Sequence, residues 1–345
     1  MKLYSLQLPY VDSANLFDKV AEQEWAIFLD SGVINHQRSV KRNADFDVIA
    51  IQPEYTMVFE NGATIYYSKK QDKQQRLYGD PITLLQTVLP KIDADTADLT
   101  SRKYSYVPGA LGYFSYDLVR QYEDLPTLAF NNDKLPEMSL GIYHVVVVVD
   151  HKARQTYLLS LGDSEETQSL VSFWVNLINR EAEIGNAFEN IDFGDRHIVE
   201  TGFDENLDAN EYAAYFKRVR NYIKDGDCYQ VNLAKRFSAE TQGDGWATYR
   251  HLRGLSPAPY GAYINLPFAQ ILSNSPESFI KCVDGEVVTS PIKGTRARDH
   301  SDSKRDKEIA QELFHSEKDR AENLMIVDLM PVSYTHLTLP TIYSV

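Results

Sequence analysis

At 345 residues, 43% hydrophobic and 24% charged, the chain can bury one large core or two ordinary ones, and this balance excludes a largely disordered polymer. Forty-nine acidic against 35 basic residues give a formal net charge of −14 with no long basic tract, which argues against nucleic acid as a partner. Two cysteines without a CxxC pair give no zinc motif and suit a reducing compartment, and the longest apolar run, Val145 to Val149, is far too short to cross a bilayer.

The opening M-K-L-Y-S-L-Q-L-P-Y lacks the apolar core of a signal peptide, so a cytoplasmic, membrane-free protein is expected. Leu3 to Leu8 reads as a strand, Ser13 to Glu24 as a helix, and Ala26 to Gly32 as a strand closed by a polar turn. Asp47 to Gln52 is a short buried strand. Thr56 to Glu60 and Ala63 to Ser68 flank Asn61-Gly62, a strong two-residue hairpin signal. Pro81 to Leu89 is a helix. Glycine and proline among the aromatics of Tyr106 to Asp117 suggest strands that approach another backbone closely.

Met138 to Asp150 reads as one nearly unbroken strand, pairing with Gln155 to Leu161 across His151-Lys152-Ala153. Ser164 to Ala182 is an amphipathic helix with Leu170, Phe173, Trp174 and Leu177 at helical spacing, and Trp174 is assigned to the core. A polar, acidic stretch at 186–205 marks the boundary between an N-terminal region, 1–185, and a second domain, 206–330.

Beyond the boundary, Asp208 to Lys224 is a helix ended by Asp225-Gly226-Asp227. Cys228 to Phe237 alternates like a strand, with Gln230 and Asn232 on one face. Tyr263 to Leu266 and Gln270 to Ser273 supply further strands. Phe279 to Val283 and Glu286 to Ser290 form a hairpin about Asp284-Gly285, which sets Glu277 and Lys293 near the same end, opposite each other. Asp302 to Arg320 is a charged helix continued by Glu322 to Leu329, and Glu322 or Asp328 could hold a hard cation such as Mg²⁺ through oxygen.

The stretch Ser290 to Arg298, S-P-I-K-G-T-R-A-R, presents a lone lysine, Lys293, at a tight turn beside Arg296 and Arg298. A lysine beside other cations loses its proton more easily, the condition for a nucleophilic amine near neutral pH. Glu277 adds a carboxylate, which completes the minimum set of nucleophile and acid/base partner; an exposed ion pair is the plain alternative.

Four segments stand in order: G-D-C-Y-Q-V-N-L at Gly226 to Leu233, S-P-E-S-F at Ser275 to Phe279, S-P-I-K-G-T at Ser290 to Thr295, and E-N-L-M-I-V-D-L at Glu322 to Leu329. Together they resemble the chorismate-utilising enzymes over residues 1 to about 330, with softer support from L-D-S-G at Leu29 to Gly32 and G-Y-F-S-Y-D at Gly112 to Asp117. The resemblance implies an α/β (α+β) fold of two antiparallel sheets packed together and flanked by helices. It also implies Mg²⁺ at a substrate carboxylate. The branch it resembles replaces the C4 hydroxyl of chorismate with an amine, using ammonia from a glutamine amidotransferase subunit (PabA).

Anthranilate synthases are similar but carry alanine in P-I-A-G-T and aminate C2. The lysine at that position implies a covalent route in which Lys293 adds to C2, the C4 hydroxyl leaves, and ammonia then displaces the lysine. By the same likeness Glu277 is the general acid/base, Glu322 a Mg²⁺ ligand, and Gly294, Thr295 and Asn232 lie where the family meets substrate. Ser31 lies in the segment matching a tryptophan pocket of some relatives. A different class of role, a non-catalytic subunit that binds tryptophan or a partner, stands beside these. After Met330 the family pattern stops, and residues 331–345 read as a non-native tail on a C-terminally incomplete chain, expected to be inactive or poorly folded.

Overall fold

Short β-branched runs divided by turn residues build the frame of the molecule. The computed structural model describes residues 1–33, 46–93, 107–126, 133–184, 197–283, 285–299 and 301–325. Asp328, the tail 331–345 and most of the predicted boundary segment lie outside the described residues.

Seven strands form one fully antiparallel sheet: β1 (Leu3–Leu8), β2 (Ala26–Asp30), β3 (Phe46–Ala50), β9 (Val145–Asp150), β10 (Gln155–Leu161), β15 (Tyr260–Leu266) and β16 (Ala269–Ser275), in the order β1-β10-β9-β3-β2-β15-β16. Five more form a second sheet: β4 (Tyr55–Glu60), β5 (Ala63–Ser68), β6 (Lys73–Tyr78), β7 (Ala110–Phe114) and β8 (Met138–Ile142), in the order β6-β5-β4-β8-β7. The β4–β5 turn is the expected one, with Asn61 at φ 52° and Gly62 at φ 76°, the left-handed pair that a two-residue hairpin requires.

Alternation along β9 divides its side chains between two cores. Val145, Val147 and Val149 join Phe28, Ile49 and Leu158 beneath helices α1 (Ser13–Asp18), α3 (Glu165–Ile184) and α5 (Gly245–Leu255), which contribute Phe17, Trp174, Ile178, Trp246 and Tyr249. Val146 and Val148 face the other way with Ile27, Val48 and Leu159, against Tyr143 and the partly buried Leu111 and Tyr113 of the second sheet. Helix α2 (Pro81–Val88) and a 3-10 helix (Tyr116–Gln121) close the far face through Leu85 and Leu118. The molecule is therefore two antiparallel sheets packed together and flanked by helices, as the resemblance implied. Strand β15 follows the 186–205 segment yet pairs with β2, so residues from both sides of it share one sheet.

Four expectations change. The run Met138 to Asp150 is two strands in different sheets, because Tyr143 turns into the interior and donates its hydroxyl to the Trp25 carbonyl at 2.7 Å. The β-branched and apolar residues on both sides of Tyr143-His144 read as strand alike, and short-range pattern does not say that they serve two sheets. The first helix stops at Asp18, and Asn265 of β15 donates to the carbonyls of Ala21 and Gln23, 3.0 Å each, holding 19–25 as turns.

Residues 228–236 form no strand; only β13 (Phe237–Ser238) pairs, with β12 (Asp204–Glu205), while β11 (Ile198–Val199) pairs with β14 (Thr241–Gln242). Alternation without a ladder partner does not hold a chain extended, and Tyr229 is 72% exposed. The last predicted helix is two pieces, α6 (Ser303–His315) and a helical stretch at 317–325, separated by Ser316 at ψ 112°. The Ser316 hydroxyl accepts from the Asp319 N–H at 3.3 Å, the bond of an N-cap that starts a new helix. Between them all, α4 (Ala209–Asp225) forms as expected, with a capping box between Asp208 and Glu211 and Gly226 left-handed at φ 84°.

Candidate active site

Strands β17 (Lys281–Val283) and β18 (Glu286–Val288) pair Val283 with Glu286 and Lys281 with Val288, shorter than the sequence suggests. Continued backward about the expected two-residue turn, this register sets Glu277 across from Ile292, one step from the predicted Lys293. The structure makes that pairing through a side chain: Glu277 Oε1 accepts from the Ile292 N–H at 2.9 Å. A regular ladder would send Lys293 to the opposite face, but the ladder ends at Val288 and Pro291 offers no N–H to extend it. The carboxylate is thus tied to the residue immediately before the amine-bearing one, and both lie at one end of the hairpin.

Ser275 shapes the approach, its hydroxyl donating to the Glu277 carbonyl at 3.0 Å and accepting from the Glu277 N–H at 3.3 Å. Lys293 and Gly294 are half-buried and Thr295 is exposed. Gly294 sits at φ +66° with the Asp319 side chain directly against it, so a Cβ there would come within 2.8 Å of Asp319. The flanking guanidiniums are each matched by carboxylates. Arg296 reaches Asp319 at 2.9 Å and Glu312 at 3.5 Å, and Arg298 forms a two-pronged pair with Asp306 at 2.7 Å.

Other predicted residues stand apart. Asn232 is exposed, and its Oδ1 accepts from Gln230 at 3.5 Å; the two amides share a side, though not on a strand. Glu322 is half-buried on the 317–325 stretch. Among the described residues no three His, Cys, Asp or Glu side chains gather to hold a metal ion, so these residues alone do not give Glu322 the several oxygen co-ligands of a hard cation.

Ser31 is buried, with its N–H and hydroxyl both donating to Asp47 Oδ1 at 2.7 and 2.6 Å. It belongs to a polar network that sequence reading missed. Asp47 Oδ2 accepts from the Ser13 hydroxyl and meets His151 Nε2 at 2.7 Å, and His151 Nδ1 meets the Tyr10 hydroxyl at 2.9 Å. Beside it Asp30 Oδ2 accepts from Arg253 Nε at 2.6 Å and from the Tyr249 hydroxyl at 3.1 Å, while Arg253 also donates to the Val33 carbonyl at 2.6 Å.

Burial opposes charge on both Asp47 and His151. The His151 charge and hydrogen bond, with Arg253 and Ser13, nevertheless hold the Asp47 carboxyl well below its ordinary range. Burial pushes the His151 imidazole down, and the Asp47 charge and hydrogen bond outweigh it, leaving His151 above its ordinary value. The one sequence signal was an acidic residue opening an apolar strand; its partners are too distant in the chain to read. Between the sheets near this network lies a pocket of about 410 Å³ lined by Leu29, Val48, Ile92, Pro108, Leu111 and Val146, which does not include Ser31.

A family model described as chorismate binding enzyme matches residues 34–335. The chain is 36% identical over 314 residues to aminodeoxychorismate synthase component 1 of Escherichia coli (strain K12), and 35% identical over 317 residues to the protein of that name from Klebsiella aerogenes. Each alignment takes in 91% of this chain, which spans 64% of each relative's length. Among solved structures, anthranilate synthase component I from Streptococcus pneumoniae TIGR4 matches with a TM-score of 0.65 at 26% identity, over 88% of this chain and 64% of that one.

Proposed function

We propose, for a chain that belongs to the chorismate binding enzyme family, the chemistry of aminodeoxychorismate synthase component 1: conversion of chorismate and ammonia to 4-amino-4-deoxychorismate, in the route to p-aminobenzoate and folate. The observation that carries this reading is the bond from Glu277 to the N–H of Ile292, which ties a carboxyl group to the loop bearing Lys293. In the proposed reaction the lone pair of the Lys293 amine attacks C2, both conjugated ring double bonds shift around the ring towards C4, and the C4–O bond breaks, the hydroxyl departing as water with a proton from Glu277. Ammonia then bonds to C4, both double bonds shift back, the bond from C2 to the Lys293 nitrogen breaks to release the amine, and the surplus proton on the new C4 amine returns to the Glu277 carboxylate. The role is open to a carboxyl whose Oε2 makes no hydrogen bond to the described residues.

Gly294, Thr295 and Asn232 are proposed substrate contacts, and a glutamine amidotransferase subunit (PabA) the ammonia source, in a cytoplasmic heterodimer. Mg²⁺ at Glu322 belongs to the proposal only with further oxygen donors that the described residues do not supply, and no step above depends on it. Tryptophan is proposed as a ligand of the Ser31 region.

Incubation with chorismate followed by peptide mass spectrometry tests the reading. An adduct on Lys293, absent from Lys293→Ala, supports it, together with an amine at C4 of the product. Anthranilate as product, or no adduct in a folded chain that turns chorismate over, would overturn it.

A further inference from the structure

The Lys293 loop packs directly on one side chain, Asp319. Asp319 Cβ, Cγ and Oδ1 all lie 2.8 Å from the position of a Cβ on Gly294, so the turn backbone and this side chain are in direct contact. Two residues on, Arg296 donates to Asp319 Oδ2 at 2.9 Å. Three consecutive loop residues, Gly294 to Arg296, therefore wrap one carboxylate, touching it at the first and grasping it at the third.

The carboxylate is itself held in place. Its residue sits in the first turn of the 317–325 helical stretch, where its N–H donates to the Ser316 hydroxyl. Only 13% of the Asp319 side chain is exposed, against 34% for Arg296. Bonds from Ser316 and Arg296 keep the Asp319 carboxyl below its ordinary range, so it is anionic when the loop is docked. Arg296 also reaches Glu312 near the end of α6, which braces the guanidinium from a second element. Glu322 follows Asp319 by three residues, the spacing of neighbours on one helix face.

We propose that Asp319 is a positioning residue for Lys293: wedged beneath Gly294 and gripped by Arg296, it sets the approach of the lysine-bearing loop and couples that loop to the helical stretch carrying Glu322. The proposal rests on the reading of Lys293 as the reactive amine. It assigns Asp319 no contact with the reacting atoms; its action passes through the turn.

The test is competitive acetylation of the whole chain with trace acetic anhydride across a pH series. Mass spectrometry reads the Lys293 rate relative to Lys152, which lies in the exposed β9–β10 turn. Asp319→Ala is expected to change the relative Lys293 rate by about threefold or more, the low end of coupling between contacting residues, and to displace its pH profile while Lys152 stays put. Asp319→Asn, which keeps the shape and loses the charge, is expected between wild type and alanine. If Asp319→Ala fails to fold by circular dichroism, Arg296→Gln carries the same test.

A Lys293 rate and profile unchanged in a folded variant would overturn the positioning role. The chorismate adduct separates the two ideas. An adduct on the wild-type chain with an indifferent Asp319→Ala profile removes the positioning role and leaves the nucleophile. A displaced profile on a chain that forms no adduct leaves the positioning role and removes the nucleophile.

Discussion

Helices α4 and α5 carry apolar stripes of the same kind and meet different fates. Along α4, Tyr212, Tyr215, Phe216, Val219, Tyr222 and Ile223 recur at helical spacing, yet not one residue of the helix is buried. Along α5, Trp246, Tyr249 and Arg253 are all buried. The difference lies in what each helix meets. Helix α5 lies on the seven-stranded sheet, where Trp246, Phe17, Phe28, Tyr249 and Tyr263 meet in stacked, edge-on or tilted pairs at 4.7 to 6.4 Å.

The contrast extends to whole regions. The two sheets with their helices form packed layers, whereas the segments that bear the site motifs, 226–237 and 277–325, contribute no buried residue among those described. Amphipathic periodicity thus reports a face that wants a partner, and the packed layers show where a partner is present.

The comparison can be broken most directly at the packed end. Trp246→Ala removes a buried indole whose N–H also donates to Asp18 at 2.5 Å, and should cost about 3–5 kcal/mol in urea unfolding. A loss no larger than that of an exposed aromatic would mean that the aromatic stack is not the core it looks like.

Next comes pH. His151 is raised in the folded chain, so its stabilising share is full below the ordinary imidazole range and is lost as pH rises through its higher folded value. Asp47 is lowered, so its share is present above the ordinary carboxylate range and disappears only as strong acid reaches its depressed value. Unfolding free energy should therefore fall as pH rises through the raised His151 value, and His151→Gln should flatten that limb. An unchanged limb in His151→Gln would remove the imidazolium from the network.

At the site, Gly294→Ala must place an L-residue at φ +66° against Asp319. The backbone alone sets a cost of about 1–2 kcal/mol, and protease cleavage after Lys293 should quicken as the turn loosens. The smallest effect belongs to the open helix: Phe216→Ser, at a side chain 50% exposed, should shift the unfolding midpoint by no more than about 0.5 kcal/mol in free energy. A loss several times larger would show that the α4 face is covered in solution, for example by a second copy, which sedimentation would then detect.

Much of the frame was legible from the residues. Asn61-Gly62 announced its hairpin, Asp208 and Asp225-Gly226-Asp227 bounded α4, and Trp174 lies in the core as its helical spacing suggested. Lys293 and Glu277 came from motif and hairpin arithmetic, and the observed register, about the same Asp284-Gly285 turn, opposes Glu277 to Ile292, one residue short of Lys293. The split at Tyr143 escaped because Met138 to Ile142 and Val145 to Asp150 both read as strand, and their strand character is the same whether they serve one sheet or two.

Residues by themselves determined the Asn61-Gly62 turn, the ends of α4 and the order of the chemical segments, since these depend on backbone sterics and hydrogen bonds a few positions apart. Only the tertiary structure decided which stripes are covered, that Asp47 meets His151 from 104 positions away, and that Asp319 lies beneath Gly294. Burial and charge pairing are set by whichever groups the folded chain brings together, and no local pattern records that choice.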